Sequence, residues 1–216
     1  EELAAQGCPM LLMVVSPAIC GTVIAKYGSE EQKKTHLPSV AKGEIQWCPG
    51  YSEPESGSDL ASLSTRAVRD GDDLVINGAK VWTTMAHRAD WIMLLTRTDP
   101  DAPKHHGISF VLVDMKSPGV SVRPIINMAG GHEFNQVTFD DVRVPRANVV
   151  GEEDRGWYVA VTLLDFERSG IEYSATSRRL LDETREYAGE TLRNGQPLIN
   201  IPWVRNLLAD RYIECE

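Results

Sequence analysis

The stretch Leu74-Val75-Ile76-Asn77-Gly78-Ala79-Lys80-Val81-Trp82-Thr83-Thr84 decides the fold class of this chain. Apolar and β-branched residues flank an Asn-Gly pair, which tolerates the positive φ of a type I′ turn. The stretch therefore predicts a hairpin turning at Asn77-Gly78. Its period is two, and that period runs from about Trp47 to Gly151. Further short strands are predicted at Trp91–Thr96, Ile108–Asp114, Val120–Arg123, Gln136–Phe139 and Val142–Val144. Turn residues such as Pro118-Gly119 and Gly130-Gly131 separate them. Evenly spaced short strands imply an antiparallel sandwich or small barrel, and the lack of βαβ alternation argues against a parallel doubly wound sheet.

On both sides of this zone the pattern is helical. Before it, Pro17 is placed to open a helix over Ala18–Lys26, with Gly28 closing it at a left-handed position. Ser29-Glu30-Glu31-Gln32 is a capping box that starts the next helix. After it, from Glu153, the residues Trp157, Val161, Leu164, Arg168, Ile171 and Ala175 form one stripe at alternating spacings of four and three. Arg193-Asn194-Gly195-Gln196-Pro197 breaks that pattern before a second helix from about Pro202 to Glu216. The expected class is α+β: an antiparallel β-barrel middle domain over 47–151, flanked by helical domains over 1–46 and 152–216. The chain begins without Met and stops within a helical pattern, which reads as a fragment.

Composition narrows the function. With 216 residues there is ample material for a core, and a net charge of −9 without any basic run argues against nucleic acid as a partner. Four cysteines without a Cys-x-x-Cys pair, in a chain with no secretory segment, read as reduced thiols. The five histidines fall at no metal-ligand spacing, so no metal is expected. No apolar run is long enough to span a bilayer, and Pro9 to Val15 is too short and too acidic in its leader for a signal peptide.

Common catalytic motifs fail. There is no Gly-x-Gly-x-x-Gly after a strand and no Gly-Lys-Ser/Thr. Gly50-Tyr51-Ser52-Glu53-Pro54 begins like a nucleophile elbow, but Pro54 stands where the closing Gly belongs. Two other segments carry more. Tyr51-Ser52-Glu53-Pro54-Glu55-Ser56-Gly57-Ser58-Asp59 is a polar, turn-rich loop whose small residues let backbone N–H groups approach an anion. Asp165-Phe166-Glu167-Arg168 sets Glu167 and Arg168 beside the apolar stripe, at the edge of a helix interface, where an ion network is the plainest reading.

Taken in order with Lys80-Val81-Trp82-Thr83-Thr84 and with Gly131-His132-Glu133-Phe134-Asn135-Gln136-Val137-Thr138-Phe139-Asp140-Asp141-Val142-Arg143-Val144-Pro145, these segments resemble the acyl-CoA dehydrogenases over essentially the whole chain. The resemblance implies a helical N-terminal domain, a central β-barrel and a C-terminal helical bundle, with FAD between barrel and bundle. It implies that the loop holding Tyr51 and Ser52 binds the pyrimidine edge of the flavin, and that Ser58 lies near both cofactor and CoA chain. Trp82 would pack against the isoalloxazine, and the Thr84 hydroxyl would approach flavin N5. Asp165 and Arg168 match residues near the CoA moiety, and Glu167 matches the base position of the isovaleryl-CoA and long-chain members. The reaction implied is α,β-dehydrogenation of an acyl-CoA thioester to a trans-2-enoyl-CoA, coupled to lipid β-oxidation.

The same resemblance implies electron-transfer flavoprotein as partner, a homo- or heterotetramer, and a cytoplasmic location (mitochondrial matrix in a eukaryote). Glu167 at that position also points to branched, long or bulky acyl groups, a steroid side chain among them. One departure stands out. Many relatives carry Arg-x-x-Phe-Gly, which reaches a neighbouring subunit's FAD, where this chain reads Thr191-Leu192-Arg193-Asn194-Gly195. That pattern suits a heteromeric subfamily, and it leaves a non-catalytic FAD-binding partner subunit and a related flavin oxidase as alternatives.

Overall fold

The structure of the protein, a computed structural model, describes residues 14–167 and 171–215 together with Gln6; at 14, 166, 167, 171 and 172 it describes the backbone alone. The chain divides into two compact units, Leu12–Glu167 and a smaller one made of Glu1–Leu11 with Arg168–Glu216.

The larger unit opens with a π-helical turn, Val14–Gly21, followed by α1 (Thr22–Tyr27) and α2 (Glu30–Lys42). Pro17 lies inside the π turn and does not open a helix. Without an N–H it cannot join an α ladder, and the wider turn accommodates it. The capping box holds in both directions: Gln32 N–H donates to Ser29 Oγ at 3.2 Å, and Ser29 N–H donates to Gln32 Oε1 at 3.0 Å. Gly28 is extended at φ −67° and not left-handed. Its small size serves close approach, since a Cβ there would sit 2.5 Å from the Ile24 carbonyl oxygen. The left-handed glycine is Gly43, which ends α2 at φ 71°.

Seven strands then form one curled sheet: β1 (Trp47–Gly50), β2 (Arg66–Asp70), β3 (Asp73–Thr84), β4 (Trp91–Arg97), β5 (Ile108–Asp114), β6 (Val120–Ile125) and β7 (Phe134–Pro145). The order is β1-β4-β2-β3-β7-β6, with β5 along the other edge of β4. The α+β class and a barrel-like sheet between helical stretches of the chain are as expected. One pairing was not legible beforehand: β1 runs parallel to β4, with Trp47 opposite Trp91 and Gly50 opposite Leu94.

The turn predicted at Asn77-Gly78 does not form. β3 runs straight through it as one twelve-residue strand, and the hairpin turns earlier, at Gly71-Asp72 between β2 and β3. The reason is the length of its other neighbour. β7 pairs with β3 from Asp73↔Pro145 to Thr84↔Phe134 and so merges the strands expected at Gln136–Phe139 and Val142–Val144. At Asn77-Gly78 the register slips instead. The Asn77 side chain bridges the slip, donating to Asp141 Oδ1 at 2.9 Å and accepting from Asp141 N–H at 3.0 Å. The glycine is required by close approach, because a Cβ on Gly78 would come 2.7 Å from the Thr65 Cα. The result is a β-bulge, which bends and twists the strand.

The core lies on both faces of β4 and β5, which explains their nearly continuous burial. Ile92, Leu94, Val111 and Val113 face the concave interior with Leu74, Ile76, Val137 and Phe139. Met93, Leu95, Ile108, Phe110 and Leu112 face outward and are covered by Cys20, Val23 and Ile24 and by the helix α3 (Gly156–Glu167). Within α3 the fully buried positions are Gly156, Val159, Ala160 and Leu163, with Trp157 and Leu164 half-buried and Val161 exposed. The covering face is therefore rotated from the expected stripe. Gly156 sets that rotation, because its backbone rests on β5 so closely that a Cβ would be 2.3 Å from Phe110 N.

In the smaller unit, α4 (Ile171–Glu190) is followed by a two-stranded hairpin, β8 (Leu192–Arg193) and β9 (Gln196–Pro197), and by α5 (Pro202–Cys215). Its turn is Asn194-Gly195, both at positive φ (55° and 81°). The dipeptide that was expected to turn in β3 thus turns here. Tyr212 joins the two helices, its hydroxyl donating to Asp182 while the Arg178 guanidinium lies 4.5 Å from its ring centroid.

Candidate functional site

The Tyr51–Asp59 loop and the end of β3 are fastened by three successive contacts, each between residues 27 or more apart in sequence. Lys80 Nζ donates to the Tyr51 carbonyl at 3.0 Å, Val81 N–H donates to the Ser52 carbonyl at 2.8 Å, and Lys80 Nζ pairs with Glu53 Oε1 at 2.8 Å. The last is an ion pair with almost no solvent, its side chains 0% and 4% exposed. Lys80 has the same strand parity as Leu74 and Ile76, so its stem follows the buried face and carries the charge inward. Glu53 is satisfied further by the Ser64 N–H (2.6 Å), the Ser64 hydroxyl (2.9 Å) and the Thr65 N–H (2.9 Å).

Burial alone would raise the Glu53 carboxyl, but the Lys80 ammonium and these donors outweigh it and hold it at about 2. Burial pulls the Lys80 ammonium down to about 8 against the attraction of Glu53. Near neutral pH both groups are charged.

Beyond Lys80 the register slips again, between Lys80↔Val137 and Thr83↔Asn135. Trp82 sits in this second bulge at φ 60°. For a bulky L-residue that is a true outlier, costing on the order of 1–3 kcal/mol, and such strain persists where surrounding structure over-determines it. Here the determinants are the Ser52–Val81 bond before it and a buried Asn135 after it, whose Nδ2 donates to the Thr83 carbonyl at 3.1 Å. Met85, also at positive φ, donates its N–H to the Glu133 carbonyl at 2.7 Å. The bulge turns the Trp82 indole outward, 59% exposed and braced edge-on by Phe134 at 6.3 Å between centroids. Thr84 follows, half-buried.

The loop is ordered by its own bonds. Glu53 and Ser56 exchange backbone hydrogen bonds (2.8 and 3.1 Å), and Ser56 Oγ donates to the Asp59 carbonyl at 2.8 Å. Ser58 is exposed, and Asp59 beside it takes Lys104 Nζ at 2.5 Å. The Tyr51 ring is buried edge-on against Phe110 at 6.2 Å, in the core that also holds Val159 and Leu163 of α3.

Three comparisons bear on this arrangement. The acyl-CoA dehydrogenase N-terminal, middle and C-terminal domain families match residues 1–44, 48–142 and 154–216 in turn. The chain belongs to the acyl-CoA dehydrogenase family, a family of oxidoreductases. It is 43% identical to acyl-CoA dehydrogenase FadE29 of Mycobacterium tuberculosis, over 92% of this chain and 51% of that protein. Among solved structures it is similar to the Tcur3481-Tcur3483 steroid ACAD (41% identity, TM-score 0.87, covering 99% of this chain and 54% of that one). It is equally similar to a chain of the ChsE4-ChsE5 complex of Mycobacterium tuberculosis (41% identity, TM-score 0.85, covering 99% and 55%). The chain thus spans about half the length of the relatives it matches.

Of the residues that the acyl-CoA dehydrogenase resemblance singled out, Tyr51, Ser52, Trp82 and Thr84 are brought together by the contacts just given. Ser58 lies on the exposed part of the same loop. Asp165 is exposed near the end of α3. Glu167 is the last residue of α3 but its side chain lies outside the described residues, as does Arg168 altogether. The residues that position the site, Glu53, Lys80 and Asn135, were not singled out from the sequence. The available signal was a charged residue, Lys80, on the inward parity of a strand.

The ion pair makes a pH prediction. The Glu53 carboxyl is lower in the folded protein (about 2) than its ordinary 4.5, so the stability it contributes is complete above pH 4.5 and is lost as pH falls through 2. The shift corresponds to roughly 3 kcal/mol. Denaturant unfolding of Glu53→Gln between pH 7 and pH 2 should show a flatter acid limb than the parent; an unchanged slope would mean that Glu53 is not the group responsible.

Proposed function

We propose that this chain is part of an FAD-dependent acyl-CoA dehydrogenase that desaturates a bulky acyl-CoA thioester. The observation that carries the proposal is the strained Trp82. An indole held outward at φ 60° and mostly exposed, two residues before the half-buried Thr84, offers a flat apolar wall with a hydroxyl-bearing residue close to it in sequence. This fits the face and polar edge of a flavin ring, and Tyr51 and Ser52 stand against the same strand end. When bound, FAD would supply the hydride acceptor for the substrate β-carbon.

The rest of the chemistry would fall to the chain's own residues. Trp82 excludes water from one side of the ring, and the Thr84 hydroxyl offers a fixed donor, so that developing charge meets preorganised dipoles and not bulk solvent. Ser58, Asp165 and Arg168 orient the CoA thioester, and orientation converts an encounter into an effectively unimolecular step. Glu167 removes the α-proton, which the adjacent thioester carbonyl acidifies. Desolvation of Glu167 by bound substrate would raise its proton affinity and make it a better base.

The steroid named for the Tcur3481-Tcur3483 relative and the position of Glu167 support a bulky acyl group. The ChsE4-ChsE5 complex supports assembly with an unlike subunit, as does the hairpin at Asn194-Gly195, where Arg193 is exposed at a turn. The domain division at about 46 and 151, electron-transfer flavoprotein as acceptor and a cytoplasmic location belong to the same proposal. No helix among the described residues is long and apolar enough to cross a membrane.

Two substitutions test it. Glycine adopts φ 60° without penalty, so Trp82→Gly should leave unfolding stability unchanged or raise it by up to about 1 kcal/mol while FAD titration shows weakened binding. Loss of stability with FAD binding intact would make Trp82 a structural residue. Glu167→Gln keeps shape and removes the proton acceptor, so flavin reduction by acyl-CoA should slow by roughly 10²–10⁴-fold with FAD content little changed. Reduction at the parental rate would place the base elsewhere.

A further inference from the structure

Behind the Trp82 bulge lies a cleft of ≈ 320 Å³ whose lining includes His87, Lys116, His132 and Asn135, with Ala86 and Met115 among its apolar walls. In a chain of net charge −9, every titratable group lining this cleft is basic. The two imidazoles are stacked, 4.0 Å between centroids and 21° between planes. Asn135, fully buried, holds both. Its Nδ2 donates to the Thr83 carbonyl at 3.1 Å, which fixes the amide's orientation and leaves one N–H free to point elsewhere. The same nitrogen then meets His87 Nδ1 at 3.2 Å, and Oδ1 meets His132 Nε2 at 2.8 Å.

That orientation determines the tautomers. An amide N–H toward His87 Nδ1 makes that nitrogen an acceptor and puts the ring proton on Nε2. An amide oxygen toward His132 Nε2 requires a proton there. One nitrogen of each ring remains without a protein partner among the described residues: a donor on His87, and on His132 an Nδ1 that becomes a donor when the ring is protonated. Two imidazolium rings 4.0 Å apart repel, and an anion shared between them would offset that repulsion.

The charged side chain of the lining, Lys116, is 81% exposed and makes a long 3.5 Å contact with Asp90, and Arg88 adjoins His87 in sequence. Glu133 accepts from Asn127 Nδ2 at 2.6 Å and does not line the cleft.

We propose that this cleft is a binding site for a small oxyanion, a carboxylate or a phosphate-like group, held by His87, His132 and Lys116. It shares Asn135 with the Trp82–Thr84 segment but makes no use of the catalytic reading, so it is tested by itself.

The probes are sulfate and acetate, which keep constant charge over the range used, measured by equilibrium dialysis at fixed ionic strength. Burial, with His132 and Arg88 nearby, lowers the His87 imidazole from its ordinary value, and a bound anion would favour its protonated form, so sulfate should bind saturably, one per chain, and tighter at pH 6 than at pH 8. Acetate that displaces sulfate assigns a carboxylate-type ligand, and acetate that does not assigns a tetrahedral one. The double variant His87→Gln/His132→Gln should abolish the pH dependence. Lys116→Gln, on an exposed side chain that leaves the fold alone, should weaken binding at both pH values, and Lys42→Gln at a distant exposed site should not. Uptake that is non-saturable, or saturable but indifferent to the His and Lys116 substitutions, would overturn the site.

Discussion

The candidate flavin wall depends on a buried ion pair. Desolvating a carboxylate and an ammonium costs several kcal/mol each, and their mutual attraction repays it only when the remaining hydrogen-bonding capacity is also met. Here it is met closely. Glu53 takes Lys80, Ser64 and Thr65, and Lys80 takes Glu53 and the Tyr51 carbonyl. Such a pair adds little net stability over an apolar packing, and its effect is geometrical. It holds residues 51–53 against residues 80–81, and with them the two segments whose side chains form the candidate flavin wall.

The strain at Trp82 follows from that fastening. Val81 is bonded to Ser52 on one side and Thr83 is held by Asn135 on the other, and the residue between them is the extra one of the bulge, at φ 60°. The backbone adopts a left-handed residue where a Trp, and not a Gly, stands. Opposite Asn77-Gly78 the extra residue lies in β7, where Asp141 is at φ 48°, and at Val81-Trp82 it lies in β3; both bulges let the two long strands bend while remaining paired. The curl of the sheet and the outward turn of the indole share this cause.

Local signals in the sequence were legible where the physics is local. The capping box at Ser29–Gln32 and the strand Ile108–Asp114 appear as expected, because a cap needs only four residues and a doubly buried strand advertises itself by composition. Asn77-Gly78 does not turn because a turn needs free strands on both sides. At Asn194-Gly195 the flanking strands are two residues each and pair only with one another, whereas at Asn77-Gly78 the distant β7 claims both sides. The parallel β1–β4 pairing and the Glu53–Lys80 contact join residues 44 and 27 apart, and nothing within either segment encodes its partner. The α3 stripe was displaced for a similar reason: a close backbone approach at Gly156, and not the apolar periodicity, chose the buried face.

The most direct test of the central claim is the FAD dissociation constant through a double-mutant cycle at Glu53→Gln and Lys80→Met. If the pair assembles the site, each single substitution should weaken FAD binding by about tenfold or more, because each leaves a buried group without its partner. The double variant should then bind no worse than the poorer single, a coupling of the size seen for residues in direct contact. Single variants that bind FAD as the parent does, or losses that simply add, would show that the loop and β3 find each other without this ion pair.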